Sequence, residues 1–115
     1  MKYMLMIYTN AAASQAITKD FDKVAAQVDE LIAELTANGE WVGGEALADP
    51  SGSMTIRAIN GVPAVTDGPF LESKEYLAGY CIIDCATPER AVEIAQRWPD
   101  ACYGGALELR PLVQE

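Results

Sequence analysis

The sequence contains no histidine. That absence excludes serine or cysteine triads with an imidazole base, the common zinc sites, and the side chain that most readily changes charge near neutral pH. Any acid-base chemistry must fall to carboxylates, lysine, tyrosine or cysteine. Basic residues are also scarce. Against 17 Asp and Glu stand 8 Lys and Arg, a net charge of −9, which repels phosphate backbones and anionic headgroups and argues against direct nucleic-acid or membrane binding. Cysteine is limited to 3 residues, which cannot all pair. Cys81 and Cys85 fall in an apolar run that reads as a strand, on one face but about 13 Å apart, too far for a bridge or a shared metal. With Cys102 standing alone, reduced thiols in a cytoplasmic protein are expected.

Long hydrophobic runs are missing as well. The opening "YMLMIY", between Lys2 and the "AAA" at 11–13, has the outline of a signal peptide but is too short for its apolar segment or for a membrane span. It reads better as a cytoplasmic strand. What remains is a chain of 115 residues, half of them apolar, with ordinary glycine and proline usage: one globular domain with one core.

Apolar residues on both alternating sets of 2–8 predict a strand covered on both faces. Thr18 can cap a helix, and Phe21, Val24, Val28, Leu31, Ile32 and Leu35 follow at helical spacing until Asn38-Gly39 stops it. "WVGGEAL" reads as a glycine-weakened strand and "ADPSGS" as a loop. "MTIRAI", Asn60-Gly61 and "VPAVT" predict a tight type I′ hairpin, with Pro63 placing its second arm at a sheet edge. "YLAGYCIIDC" is another strand. Thr87-Pro88 then opens a helix carrying Ala91, Ile94, Ala95 and Trp98, and "ALELRPLV" closes the chain as a strand. Two helices and one sheet predict an α+β, ferredoxin-like two-layer sandwich with both helices on one face of an antiparallel sheet. The bare face would then need cover, which a second copy related by a twofold axis would supply as a homodimer.

Between hairpin and strand lies "DGPFLESKE", Asp67 to Glu75. It resembles the signature of the DGPF-domain branch of the YCII-related family, usually written DGPFAETKE, with Leu71 and Ser73 as departures. "KYMLMIY", "VGGEAL", "LAGYCIIDC" and "LELRPL" fit the same resemblance, which spans essentially the whole chain. It implies a dimeric α/β barrel with a cleft over the open sheet face, and no assigned reaction. More distant YCII-type relatives carry a His-Asp pair proposed as catalytic, and a chain without histidine cannot have it. The resemblance also implies an association with extracytoplasmic-function sigma factors as a regulatory alternative.

Physically, Asp67-Gly68-Pro69 is turn material, with Phe70 expected to anchor it in the core. The same turn could hold a carboxylate at the rim of a cleft, making Asp67 and Glu72 the candidates for acid-base work. Lys74 sits among carboxylates that keep it charged, which suits binding better than Schiff-base chemistry. If Leu107 and Leu109 face the helices, Glu108 and Arg110 face the open side. Glu45 and Arg57 could point there too, with Tyr8 and Tyr80 as walls carrying hydroxyl handles. A small polar or anionic ligand, or an internal network of salt bridges that binds nothing, would each satisfy these charges. No cofactor or metal is expected: "VGGE" and "YGG" lack phosphate-loop spacing, and no stretch has calcium-loop spacing.

Overall fold

The structure is a computed structural model and describes residues 1–114. In chain order the elements are β1 (Lys2–Thr9), α1 (Ala11–Lys19), α2 (Phe21–Ala37), β2 (Trp41–Ala46), β3 (Met54–Ile59), β4 (Val62–Asp67), β5 (Tyr76–Asp84), α3 (Pro88–Gln96) and β6 (Ala106–Pro111). Short 3-10 turns occupy Pro50–Gly52 and Pro99–Tyr103. Strands β2, β5, β1 and β6 lie side by side in that order, each antiparallel to its neighbour. This is the ferredoxin-like arrangement, an antiparallel α+β sheet with its helices on one face.

The alternation of β1 decides which face that is. Tyr3, Leu5, Ile7 and Thr9 are buried, while Met4, Met6 and Tyr8 between them are half-exposed. Leu5 and Ile7 join Cys81 and Ile83 of β5, Leu31 and Leu35 of α2, and Ala91, Ile94 and Trp98 in one core. The opposite face carries no helix. Strand register sets two rows across it: Glu45, Tyr80, Met6 and Glu108 in one, and Ile82, Met4 and Arg110 in the next.

Four expectations need correction. Helix formation begins at Ala11, where the Asn10 side chain accepts the Ala13 N–H at 2.9 Å, and not at Thr18. Thr18 lies inside α1 and donates to the Ser14 carbonyl. A break at Asp20, φ −108° and ψ 26°, separates α1 from α2 and resets the helical phase, leaving Phe21 62% exposed and starting the buried stripe at Val24. There are accordingly three helices rather than two among the described residues. Phe70 is 63% exposed, with the Arg57 guanidinium 5.1 Å above its ring, and anchors no core.

The fourth concerns the hairpin. Its Asn60-Gly61 turn has φ of 52° and 79°, as a type I′ turn requires. The two strands nevertheless form a sheet of their own and do not extend the main one. The departure point is local: Leu47 still donates to the Ala78 carbonyl, but the Asp49 side chain then accepts the Ser51 N–H and starts the 3-10 turn that leads the chain off the sheet. Gly68 N–H to Ser53 O at 2.7 Å closes the base of the hairpin.

Candidate functional site

A cleft of about 570 Å³ opens where the uncovered sheet face meets two loops. Tyr8 and Leu77, cross-strand partners on β1 and β5, form its floor. Leu47, Asp49 and Ser53 line it from the loop after β2, and Leu71, Ser73, Glu75 and Tyr76 from the motif loop. A second hollow of about 560 Å³ shares Asp49, Pro50, Pro69 and Tyr76 and adds Ser51, Glu72 and Lys74. The two hollows therefore adjoin one another along the motif loop. Each volume falls in the range of small-molecule pockets, and the mixture of apolar wall and a few polar groups suits one.

Asn10 holds this site together. Its amide nitrogen donates to both Glu75 carboxylate oxygens, at 3.3 and 3.2 Å, and to the Gly104 carbonyl at 3.1 Å. Its oxygen meanwhile caps α1. One side chain thus joins the helix start, the end of the motif and the turn before β6. Glu75 is further fixed through its own N–H, which donates to Ser73 Oγ at 3.2 Å. Asp49 is held ionised, its carboxyl lowered from the ordinary range chiefly by the Ser51 backbone N–H. The site therefore presents two positioned carboxylates, two tyrosines and two serine hydroxyls around an apolar floor. Such a set accepts hydrogen bonds from a polar molecule and can take up a proton from it.

The residues singled out from sequence divide into four places. Tyr8 lines the first hollow, and Glu72 and Lys74 line the second. Glu45, Tyr80, Glu108 and Arg110 share the open face beyond the cleft, where Arg110 Nη2 donates to Glu108 at 2.9 Å. Arg57 lies on the separate hairpin, stacked on Phe70. Asp67 ends β4 and lines neither hollow. Asn10, Asp49, Ser53, Ser73, Glu75 and Tyr76 belong to the site without having been singled out as site residues. Glu75 lay in plain view at the end of the quoted motif. Asp49 and Ser53 gave only a loop signal, because their place beside the motif is created by folding. Among the described residues no group of three or more His, Cys, Asp or Glu side chains is arranged to hold a metal ion, and no helix is long and apolar enough to cross a membrane.

A family model described as the YCII-related domain matches residues 1–114. The chain belongs to the YCII-related family. An uncharacterised protein of Rhizobium meliloti (strain 1021) is 30% identical over 115 residues, which cover 98% of this chain and 93% of that protein. Carboxylates and tyrosines line the cleft of this YCII-related chain, which has no histidine.

Proposed function

We propose that the protein belongs to the DGPF branch of the YCII-related family and works as a cytoplasmic homodimer that binds a small polar molecule in the cleft beside the motif loop. The uncovered sheet face supports the dimer: Met4, Met6, Tyr80 and Ile82 make its centre half-exposed and apolar, and a second copy packed sheet to sheet as a dimeric α/β barrel would cover it. Three unpaired cysteines accord with a reducing compartment. The observation that carries ligand binding is Glu75, a carboxylate clamped by Asn10 at the mouth of a cavity of suitable size.

Asp49, Glu72 and Glu75 outnumber Lys74 around the two hollows. The preferred ligand accordingly presents hydrogen-bond donors, amines or hydroxyls, more than anionic groups. Weak acid-base catalysis on an already activated substrate would use Glu72 or Glu75; Asp67 would reach such a substrate only if the hairpin base moved or a second copy supplied it. A thermal-shift screen over amines, polyols, metabolites, metal ions and small anions tests the reading. A ligand at a hundred times its dissociation constant stabilises the folded chain by about 2.7 kcal/mol, so donor-bearing compounds should raise the melting temperature of the native protein and not of Glu75→Gln. A screen without any shift would remove the ligand reading and leave a non-catalytic module, with a sigma factor as the partner to test by co-purification.

A further inference from the structure

The first hollow differs from the second in its charges. Asp49 and Glu75 line it and no Lys or Arg does, whereas Lys74 lines the second. The hydrogen bonds that fix the two carboxylates come from neutral groups, the Ser51 N–H at 2.9 Å for Asp49 and the Asn10 amide for Glu75. Neither pairs with a cation among the described residues, where the ion pairs are those of the Met1 amino group, Arg90, Arg97 and Arg110. Two uncompensated negative charges therefore stand around one cavity, and a cation entering it is attracted by both. Tyr8 and Tyr76 contribute their rings to the lining, and aromatic faces attract ammonium groups.

Most of the remaining lining is apolar, and a backbone irregularity makes it more so. Strands β1 and β5 pair in unbroken register from Lys2 with Asp84 to Ile7 with Gly79, after which Tyr8 faces Leu77 and Ala78 has no partner on β1. This extra residue is a β-bulge, a device that re-aims a side chain beside a site. An unbroken register would set Ala78 opposite Tyr8; the bulge gives that place on the cleft floor to the larger Leu77. The Ala78 carbonyl accepts the Leu47 N–H at 2.8 Å, which brings a second leucine to the cleft wall. Leu71 of the motif loop is a third. Leu47 is 45% exposed and Leu71 72%, so both have apolar surface left for a ligand to cover.

We propose that the first hollow takes an amphipathic monoamine, with its ammonium group at Glu75 and its alkyl or aryl body on Leu47, Leu71 and Leu77. The inference rests on the ligand reading above and narrows it. A polyol offers donors but no body for the leucines, a metal ion offers neither, and an anion meets two like charges. Asp49 adds to the field that favours a cation, and the Ala78 bulge makes Leu77 the residue that selects for an apolar body.

Isothermal titration calorimetry of the full chain near neutral pH tests this with ethylamine, butylamine and hexylamine, and with hexanoate and glycerol for comparison. Affinity for the amines should rise about threefold to fourfold for each methylene that reaches the leucines, and hexanoate should bind at least about tenfold more weakly than hexylamine. Glu75→Gln should weaken the whole amine series by about tenfold and keep its rise with chain length, whereas Leu77→Ala should flatten that rise. Amine affinity independent of chain length, or glycerol or hexanoate bound as tightly as hexylamine, overturns the inference. The broader reading survives that result if any donor-bearing compound raises the melting temperature of the native protein, and falls with the inference if none does. Should a variant misfold, the native protein decides alone: hexylamine affinity that falls as salt is raised supports the ammonium contact, and affinity indifferent to salt refutes it.

Discussion

Three cysteines show how the surroundings of a residue set its chemistry. Cys81 is 1% exposed in the core, where burial pushes its thiol up to about 12, and burial raises Cys85 as well, whereas Cys102 is exposed. A thiol reagent at pH 8 should therefore modify Cys102 alone in the folded protein, with Cys81 and Cys85 reacting only after denaturant is added, as mass spectrometry of the labelled chain would show. The free state of these thiols was legible from their number and spacing. The importance of Asn10 was not. It precedes Ala-Ala-Ala-Ser, a stretch without an apolar stripe, so the cap signal at Thr18 ahead of Phe21 looked stronger. Asn10→Ala should cost about 1 kcal/mol through the lost cap and release Glu75, and the melting temperature in the absence of ligand measures the first effect.

Elements were mostly readable where turn chemistry has few solutions. Thr87 Oγ accepts the Arg90 N–H at 3.1 Å, with Pro88 at the first helical position, and Gly39 follows α2 at φ 71°. Strand alternation in β6 likewise placed Glu108 and Arg110 on the open face. Glycines in β2 were read as weakening a strand, and here the structure says more. A Cβ on Gly44 would lie 2.5 Å from the Tyr80 carbonyl oxygen and 2.7 Å from the Cys81 Cβ, since β5 passes directly beside this position. Gly44→Ala should therefore destabilise the protein by roughly 1–3 kcal/mol, the ordinary cost of overpacking, seen as a lower denaturation midpoint. Gly43→Ala, with open space around it, provides the control. The hairpin's existence followed from Asn-Gly; its detachment did not, because it depends on the Asp49 turn outcompeting continued pairing with β5.

Across the whole molecule, one cation ties the helical layer to the sheet. Arg90 on α3 donates twice to Glu40, at 2.9 Å each, just ahead of β2, and once to Glu93 at 2.6 Å, while Glu34 on α2 lies 3.7 Å away and also pairs with Arg97. The Arg90 hydrogen bonds hold the Glu40 carboxyl below its ordinary value of 4.5. A carboxyl lowered on folding adds stability that is complete above its unfolded value and is lost as pH falls through the folded one. The melting temperature should thus fall as acid is added below pH 4.5, and Arg90→Ala should remove part of that dependence and about 1–3 kcal/mol at neutral pH. None of these partners could be matched from sequence, where Glu34 and Arg90 are charges on separate predicted helices and Glu40 falls between a helix stop and a strand.

A bare ribbon rich in valine, isoleucine and threonine also poses a hazard to the chain that carries it. Its outer edges offer unsatisfied peptide groups to any similar strand, the usual starting point of fibrous aggregates. Pro63 withdraws one N–H from that edge, and so acts as a gatekeeper against pairing with a strand of another chain.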